Sequence, residues 1–229
     1  MIQLLGVKIN KVASADVWDK LKGFLVDGQQ HYIVTVNADF LARAQSDQGF
    51  KQILNKADLS VVDGVGVSWA AKLFGERFPE RISGVDLMAG ILNQEAGLRE
   101  DIFLLGGRHG VAAKIAQQFE MVVGFTEETE EAIKLINDRR PSILFVALGS
   151  PKQERWIAQN LSKVPSVKLA MGVGGAFNFL SGHIRRAPRW MRRLGLEWLW
   201  RALREPWRWP QVWRSVVVFP IIALKERLN

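Results

Sequence analysis

From the N-terminus to Gly182, short runs of consecutive apolar residues alternate with longer stretches whose apolar positions recur every three or four residues. The runs 4–9, 32–36, 59–62, 102–105, 121–123, 143–148 and 169–173 have the length and unbroken hydrophobicity of strands buried on both faces. The stretches between them, 16–26, 40–57, 67–74, 85–95, 110–119, 129–139 and 153–161, carry the helical period. Strand and helix in regular alternation predict an α/β fold: a Rossmann-like, mostly parallel sheet with helices on both faces.

Several of the expected strands run into small or polar residues: Thr35-Val36-Asn37-Ala38-Asp39, Asp63-Gly64-Val65-Gly66, Gly106-Gly107, Gly149-Ser150-Pro151 and Gly172-Val173-Gly174-Gly175. In an open parallel sheet these loops share the carboxyl edge, where ligands bind. Glycines there either punctuate strands or let backbone N–H groups approach a phosphate. Five such loops on one edge point to a nucleotide-type site. None has the spacing of a dinucleotide or P-loop fingerprint, so a nicotinamide enzyme or a P-loop ATPase is not supported.

Asp63 follows the apolar run 59–62 and precedes Gly64. A carboxylate at that place can act as a general base once burial raises its pKa. It can equally be a turn residue or the cap of the following helix. Thr35, Asn37 and Asp39 are placed to bind sugar hydroxyls, with Asp39 also a candidate helix cap. Arg81, just before a helix, could hold a diphosphate or sugar oxygen or could be a solvated loop residue. Lys152 and Gln153 open a helix after the strongest strand, where a lysine opposes the helix dipole and hints at an anionic ligand. His31, His109 and His183 lack metal-ligand spacing, and no Asp-x-Asp pair is present.

Charge divides the chain unevenly. Residues 185–229 hold ten Arg and one Lys against three Glu, whereas the preceding 184 residues are neutral. The same segment carries six of the nine Trp. The expected division is therefore an α/β core over 1–184 and a basic, Trp-rich helical appendage over 185–229. A helix is predicted over 188–205, with Arg189, Arg193, Glu197 and Arg204 in one sector and Trp190, Met191, Leu194 and Trp198 opposite. The apolar run 215–224 is about half the roughly 20 residues of a spanning helix. Arginine mixed with tryptophan suits the headgroup layer of a membrane. Packing on the core or on a neighbouring subunit is the alternative, and nucleic acid is a weaker third. The N-terminus has no basic segment followed by a long apolar stretch, so a secretory leader is not expected. The chain has no cysteine, which excludes disulfides and thiolate metal sites.

The strand-end segments, taken in order with Arg81-Ile82-Ser83-Gly84-Val85-Asp86-Leu87, Phe103-Leu104-Leu105-Gly106-Gly107, Gly149-Ser150-Pro151-Lys152-Gln153-Glu154, Gly172-Val173-Gly174-Gly175-Ala176-Phe177, Arg186-Ala187-Pro188 and Gly195-Leu196-Glu197-Trp198-Leu199, resemble the successive motifs of the WecG/TagA/CpsF glycosyltransferase family. The resemblance runs to about Arg208. It implies an inverting, metal-independent transferase with no resident cofactor. Its donor would be a UDP-sugar, most commonly of N-acetylmannosamine, and its acceptor a polyprenyl-diphosphate-linked GlcNAc used in cell-wall or surface polysaccharide synthesis. By the same resemblance Asp63 matches the general base. Thr35, Asn37, Arg81 and Gln153 match residues that position donor and acceptor, and the glycines Gly106, Gly107, Gly149, Gly174 and Gly175 line the nucleotide loops. The family's appendage supplies arginines to the UDP diphosphate, here Arg201 and Arg208, and touches the inner face of the cytoplasmic membrane. Where relatives often carry a further Arg, this chain has Gln211, and Arg214 is the candidate substitute. Nucleic acid is not an expected partner, homo-oligomers are left open, and a catalytically silent UDP-sugar-binding protein is the alternative function.

Overall fold

The computed structural model describes residues 1–188, 190–191 and 194–228. Arg189 and Arg193, two arginines of the helix expected over 188–205, lie outside the described residues. The chain opens with an antiparallel hairpin, β1 (Ile2–Leu4) and β2 (Val7–Ile9), and not with the single strand expected over 4–9. Leu5 and Gly6 both take positive φ, 51° and 76°, the geometry of a two-residue turn that suits the twist of a hairpin. Leu5 is itself buried, so the turn presents an apolar residue and leaves no polar mark in the sequence.

Six strands form the main sheet: β3 (His31–Val36), β4 (Leu59–Val62), β5 (Ile102–Gly106), β6 (Val122–Thr126), β7 (Ile143–Ala147) and β8 (Leu169–Gly172). Their order is β4-β3-β8-β7-β5-β6, and every pairing is parallel. The period-two alternation of a strand sends Val34, Val36, Leu105, Leu144 and Val146 into one core layer. Ile33, Val61, Leu104, Ile143, Phe145 and Met171 enter the other. The second layer is covered by α1 (Ser14–Val26), and the first by α2 (Ala38–Ser46), α3 (Gln48–Asn55) and α4 (Val65–Leu73). Farther along, α5 (Gly84–Leu92) and α6 (Val111–Gln118) cover the second layer, while α7 (Thr129–Arg139) and α8 (Lys152–Asn160) cover the first. The short α9 (Ala176–Leu180) returns to the second. The α/β architecture with helices on both faces is as the apolar pattern predicts.

Two expected helices are broken. The one read over 40–57 is divided into α2 and α3 at Asp47, whose carboxylate accepts from the Phe50 N–H at 2.9 Å and caps α3. The one read over 188–205 is interrupted at Gly195, which has φ 72°. A Cβ on Gly195 would stand 2.1 Å from the Val65 side chain, so the chain passes α4 at a distance only glycine permits. Beyond it come α10 (Glu197–Arg204), a 3-10 turn (Pro206–Arg208), α11 (Trp209–Trp213), a π-helical stretch (Arg214–Val218) and α12 (Phe219–Leu228).

The apolar run 215–224 finds its partner in the body of the protein. Phe219 and Ala223 are fully buried and belong to the first core layer. The Phe219 ring fits over Gly66 of α4, which would bring a Cβ to 3.8 Å from it. Among the described residues no helix is long and apolar enough to cross a membrane.

Candidate active site

Six parallel strands place all their carboxyl ends on one edge, and there a cavity of about 350 Å³ opens between the loops and the C-terminal segment. The body contributes Asn37, Asp63 and Arg81 to its wall, and the C-terminal segment contributes Arg186, Glu197, Trp198, Arg201 and Gln211. The cavity is therefore a joint product of the sheet edge and the appendage.

Asp63 is held at the end of β4 by its own N–H, which donates to the Val36 carbonyl at 2.8 Å. The cap position of α4 belongs to Gly64, at φ 90° and without any side-chain hydrogen bond. Asp63 thus does not cap that helix, and its carboxylate lines the cavity. Burial pushes its pKa up to about 6. The Arg201 guanidinium and the Gly84 amide work against that rise, while Glu197 and Asp86 add to it. Glu197 and Asp86 are joined through Arg186, which donates from Nη1 to Asp86 at 2.6 Å and from Nε to Glu197 at 3.3 Å. Ser83 caps α5, accepting from the Asp86 N–H at 3.1 Å and donating to its carboxylate at 2.6 Å.

Arg201 and Arg208 converge on Gly175, in the loop after β8 at the N-cap of α9. A Cβ there would stand 2.1 Å from Nη2 of Arg201 and 2.7 Å from Nη2 of Arg208. The absence of a side chain is what lets two guanidiniums share this spot. Arg201 lies over the Phe179 ring at 5.1 Å. Its pKa is lowered to about 10 by burial and by Arg208, with Glu205 opposing, so it remains cationic at neutral pH. Beneath the pair is Glu205, 1% exposed, which accepts from Arg208 Nε and lies 3.5 Å from Arg201 Nε.

The remaining expected residues fall into four groups. Asn37 lines the cavity and caps α2, accepting from the Phe40 N–H at 3.1 Å; the alternative cap, Asp39, does not. Asp39 is 1% exposed and accepts from Arg43 Nε and Arg214 Nε on its two oxygens. Asp39 and Arg214, both expected to face substrates, instead face each other and fasten the appendage to α2. Gln211 stands on the cavity wall and accepts from Arg208 Nη1 at 3.2 Å.

Thr35 and Gln153 lie just under the surface of the site. Thr35 is buried beneath α5, where a Cβ on Gly84 would come to 3.3 Å from its hydroxyl. Gln153 is 3% exposed, accepts from the Gly174 N–H at 3.0 Å and donates to Glu154 at 2.7 Å. It thereby ties α8 to the loop that carries Gly175. Gly106, Gly107 and Gly149 (φ 88°, 85° and 77°) and exposed Lys152 follow β5 and β7 on the same edge, outside the cavity wall. Among the described residues no cluster of three or more His, Cys, Asp or Glu side chains has the arrangement of a metal site.

Sequence reasoning singled out Asp63, Arg81, Arg201 and Arg208 but no role for Asp86, Arg186, Glu197 or Glu205. The first three of these stand in segments that carried the resemblance, and Glu205 directly precedes Pro206. Nothing in their spacing shows that Asp86 and Glu197 meet through one arginine.

The chain is similar to known proteins over most of its length. Residues 2–229 match the family model described as glycosyl transferase WecG/TagA/CpsF family. A Bacillus subtilis (strain 168) N-acetylglucosaminyldiphosphoundecaprenol N-acetyl-beta-D-mannosaminyltransferase is 31% identical over 91% of this chain and 88% of its own. A Staphylococcus aureus (strain MRSA252) protein of the same name is 31% identical over 100% of this chain and 94% of its own. One from Bacillus spizizenii (strain ATCC 23059 / NRRL B-14472 / W23) is 31% identical over 81% and 76%.

Proposed function

We propose, from the premise that this chain belongs to the WecG/TagA/CpsF family of glycosyltransferases, that it moves N-acetylmannosamine from a UDP-sugar to a polyprenyl-diphosphate-linked GlcNAc. The observation that carries the reading is one cavity wall holding a carboxylate of raised pKa, Asp63, beside the cationic Arg201.

In this reaction Asp63 takes the proton from the acceptor hydroxyl as its oxygen attacks the anomeric carbon of the donor. The bond from that carbon to the β-phosphate oxygen breaks on the opposite face, so configuration inverts and UDP leaves. Arg201 and Arg208 hold the leaving diphosphate, supplying the positive charge that a divalent cation supplies in other transferases. Asn37 and Arg81, on the same wall, orient donor and acceptor.

Exposed Trp190, Trp207, Trp209 and Trp213, set among the arginines of the basic appendage, support docking on the inner face of the cytoplasmic membrane, where a lipid-linked acceptor resides. A panel of UDP-sugars with a short-chain polyprenyl-diphosphate-GlcNAc analogue tests the proposal. UDP release with UDP-N-acetylmannosamine is expected, unaffected by EDTA, with a β-linked product by NMR. UDP binding without transfer from any donor contradicts it, and loss of transfer in EDTA contradicts the metal-independent mechanism.

A further inference from the structure

Two guanidiniums side by side repel each other, and Arg208 helps pull the pKa of Arg201 down. Both nevertheless rest on the same glycine, with their Nη2 atoms crowding one would-be Cβ. Something must hold them there before a ligand arrives. We infer that Glu205 is a positioning residue that fixes Arg201 and Arg208 as a preformed pair for the leaving diphosphate; the inference rests on the proposed reading of those arginines.

The backbone builds this arrangement. Glu205 ends α10, its N–H donating to the Arg201 carbonyl at 2.7 Å, and Pro206 then starts the 3-10 turn that carries Arg208. From the two sides of that bend, Arg208, three residues after, donates from Nε to the carboxylate, and Arg201, four residues before, brings its Nε to 3.5 Å as an ion pair without a hydrogen bond. Asn178 of α9 donates to its other oxygen at 3.3 Å, which anchors the carboxylate to the body. The contacts fall on the Nε edges of both arginines. The Nη ends are left for Gly175 and Gln211 on one side and for an anion on the other. A carboxylate thus lies under the pair, and the diphosphate would sit over it.

Geometry and charge make opposite predictions for removal of Glu205. If it only neutralises the arginines, its loss raises the positive field and tightens UDP binding. If it positions them, its loss weakens binding, because a guanidinium that must be reoriented gives up the advantage of preorganisation. The test is calorimetric UDP affinity and donor KM and kcat for the full chain, with thermal unfolding as the check on folding. Arg201→Ala and Arg208→Ala serve as references, each expected to weaken UDP binding by about tenfold or more.

Glu205→Ala is expected to weaken UDP binding by a similar factor and to raise donor KM, while Glu205→Gln, which keeps an acceptor in place, stays within roughly threefold of the parent. Glu205→Asp, which withdraws the charge by one methylene, should behave like Glu205→Ala and serves if the alanine variant does not fold. Parental or tighter UDP binding in Glu205→Ala, or in Glu205→Asp in its stead, overturns the inference and leaves the arginine reading standing. Unchanged affinity in both Arg201→Ala and Arg208→Ala overturns the arginine reading itself, and the inference with it.

Discussion

Burial raises the proton affinity of Asp63, and the charge of Glu197, 134 residues farther along the chain, adds to the rise. A base must be ionised to act, so kcat/KM is expected to rise with pH through about 6 and to level off above it. Glu197→Gln removes a neighbouring negative charge and should move that limb toward acid, whereas Arg201→Ala should move it toward alkali. A pH–rate profile of each variant checks both signs. The same raised pKa has a consequence for folding. Between about 3.8 and about 6 the folded state binds more protons at this site than the unfolded chain, so Asp63's contribution to stability falls as pH rises through that window. The placement of an acid at a strand end could be read directly from residues 59–64. Its raised pKa could not, because the burial that raises it exists only in the folded chain, and Arg201 and Glu197, which oppose and add to the rise, lie on a helix far along the chain.

At the scale of elements, the strands could be read from unbroken apolar runs because both of their faces are buried, and most helices from the helical period because one face is. The misses share a cause: a local backbone feature that the hydrophobic period does not register. Leu5 sits in a left-handed turn yet is buried, so the β1–β2 hairpin looked like one strand. Asp47 divides α2 from α3 within a continuous helical pattern, and Gly195 breaks the appendage where it crosses Val65. Gly175 is a different case, since its φ of −77° suits any residue and only the space above it demands glycine. Gly175→Ala is therefore expected to fold normally but to push both guanidiniums aside by about an ångström. That should weaken UDP binding and lower kcat/KM by roughly 10–100-fold, with little change in melting temperature. Calorimetry and a melting curve measure the two separately.

On the scale of the whole molecule, the neutral body and the basic appendage differ in composition but share a core. Phe219 and Ala223 fill the layer under α2 and α4, Arg214 pairs with buried Asp39, and Arg186 links α5 to α10. Composition alone separates the two parts at about residue 185, and it cannot show these attachments, which depend on which side chains meet across the sheet edge. They account for why eight of the nineteen residues of the cavity wall come from the C-terminal segment. The measurement that bears most directly on this account is the transfer rate of Asp63→Asn, taken with its UDP affinity. Turnover is expected to fall by about 10²–10⁴-fold, with UDP binding within roughly threefold of the parent and an intact fold. A near-parental transfer rate in that variant would contradict the assignment of Asp63 as the base.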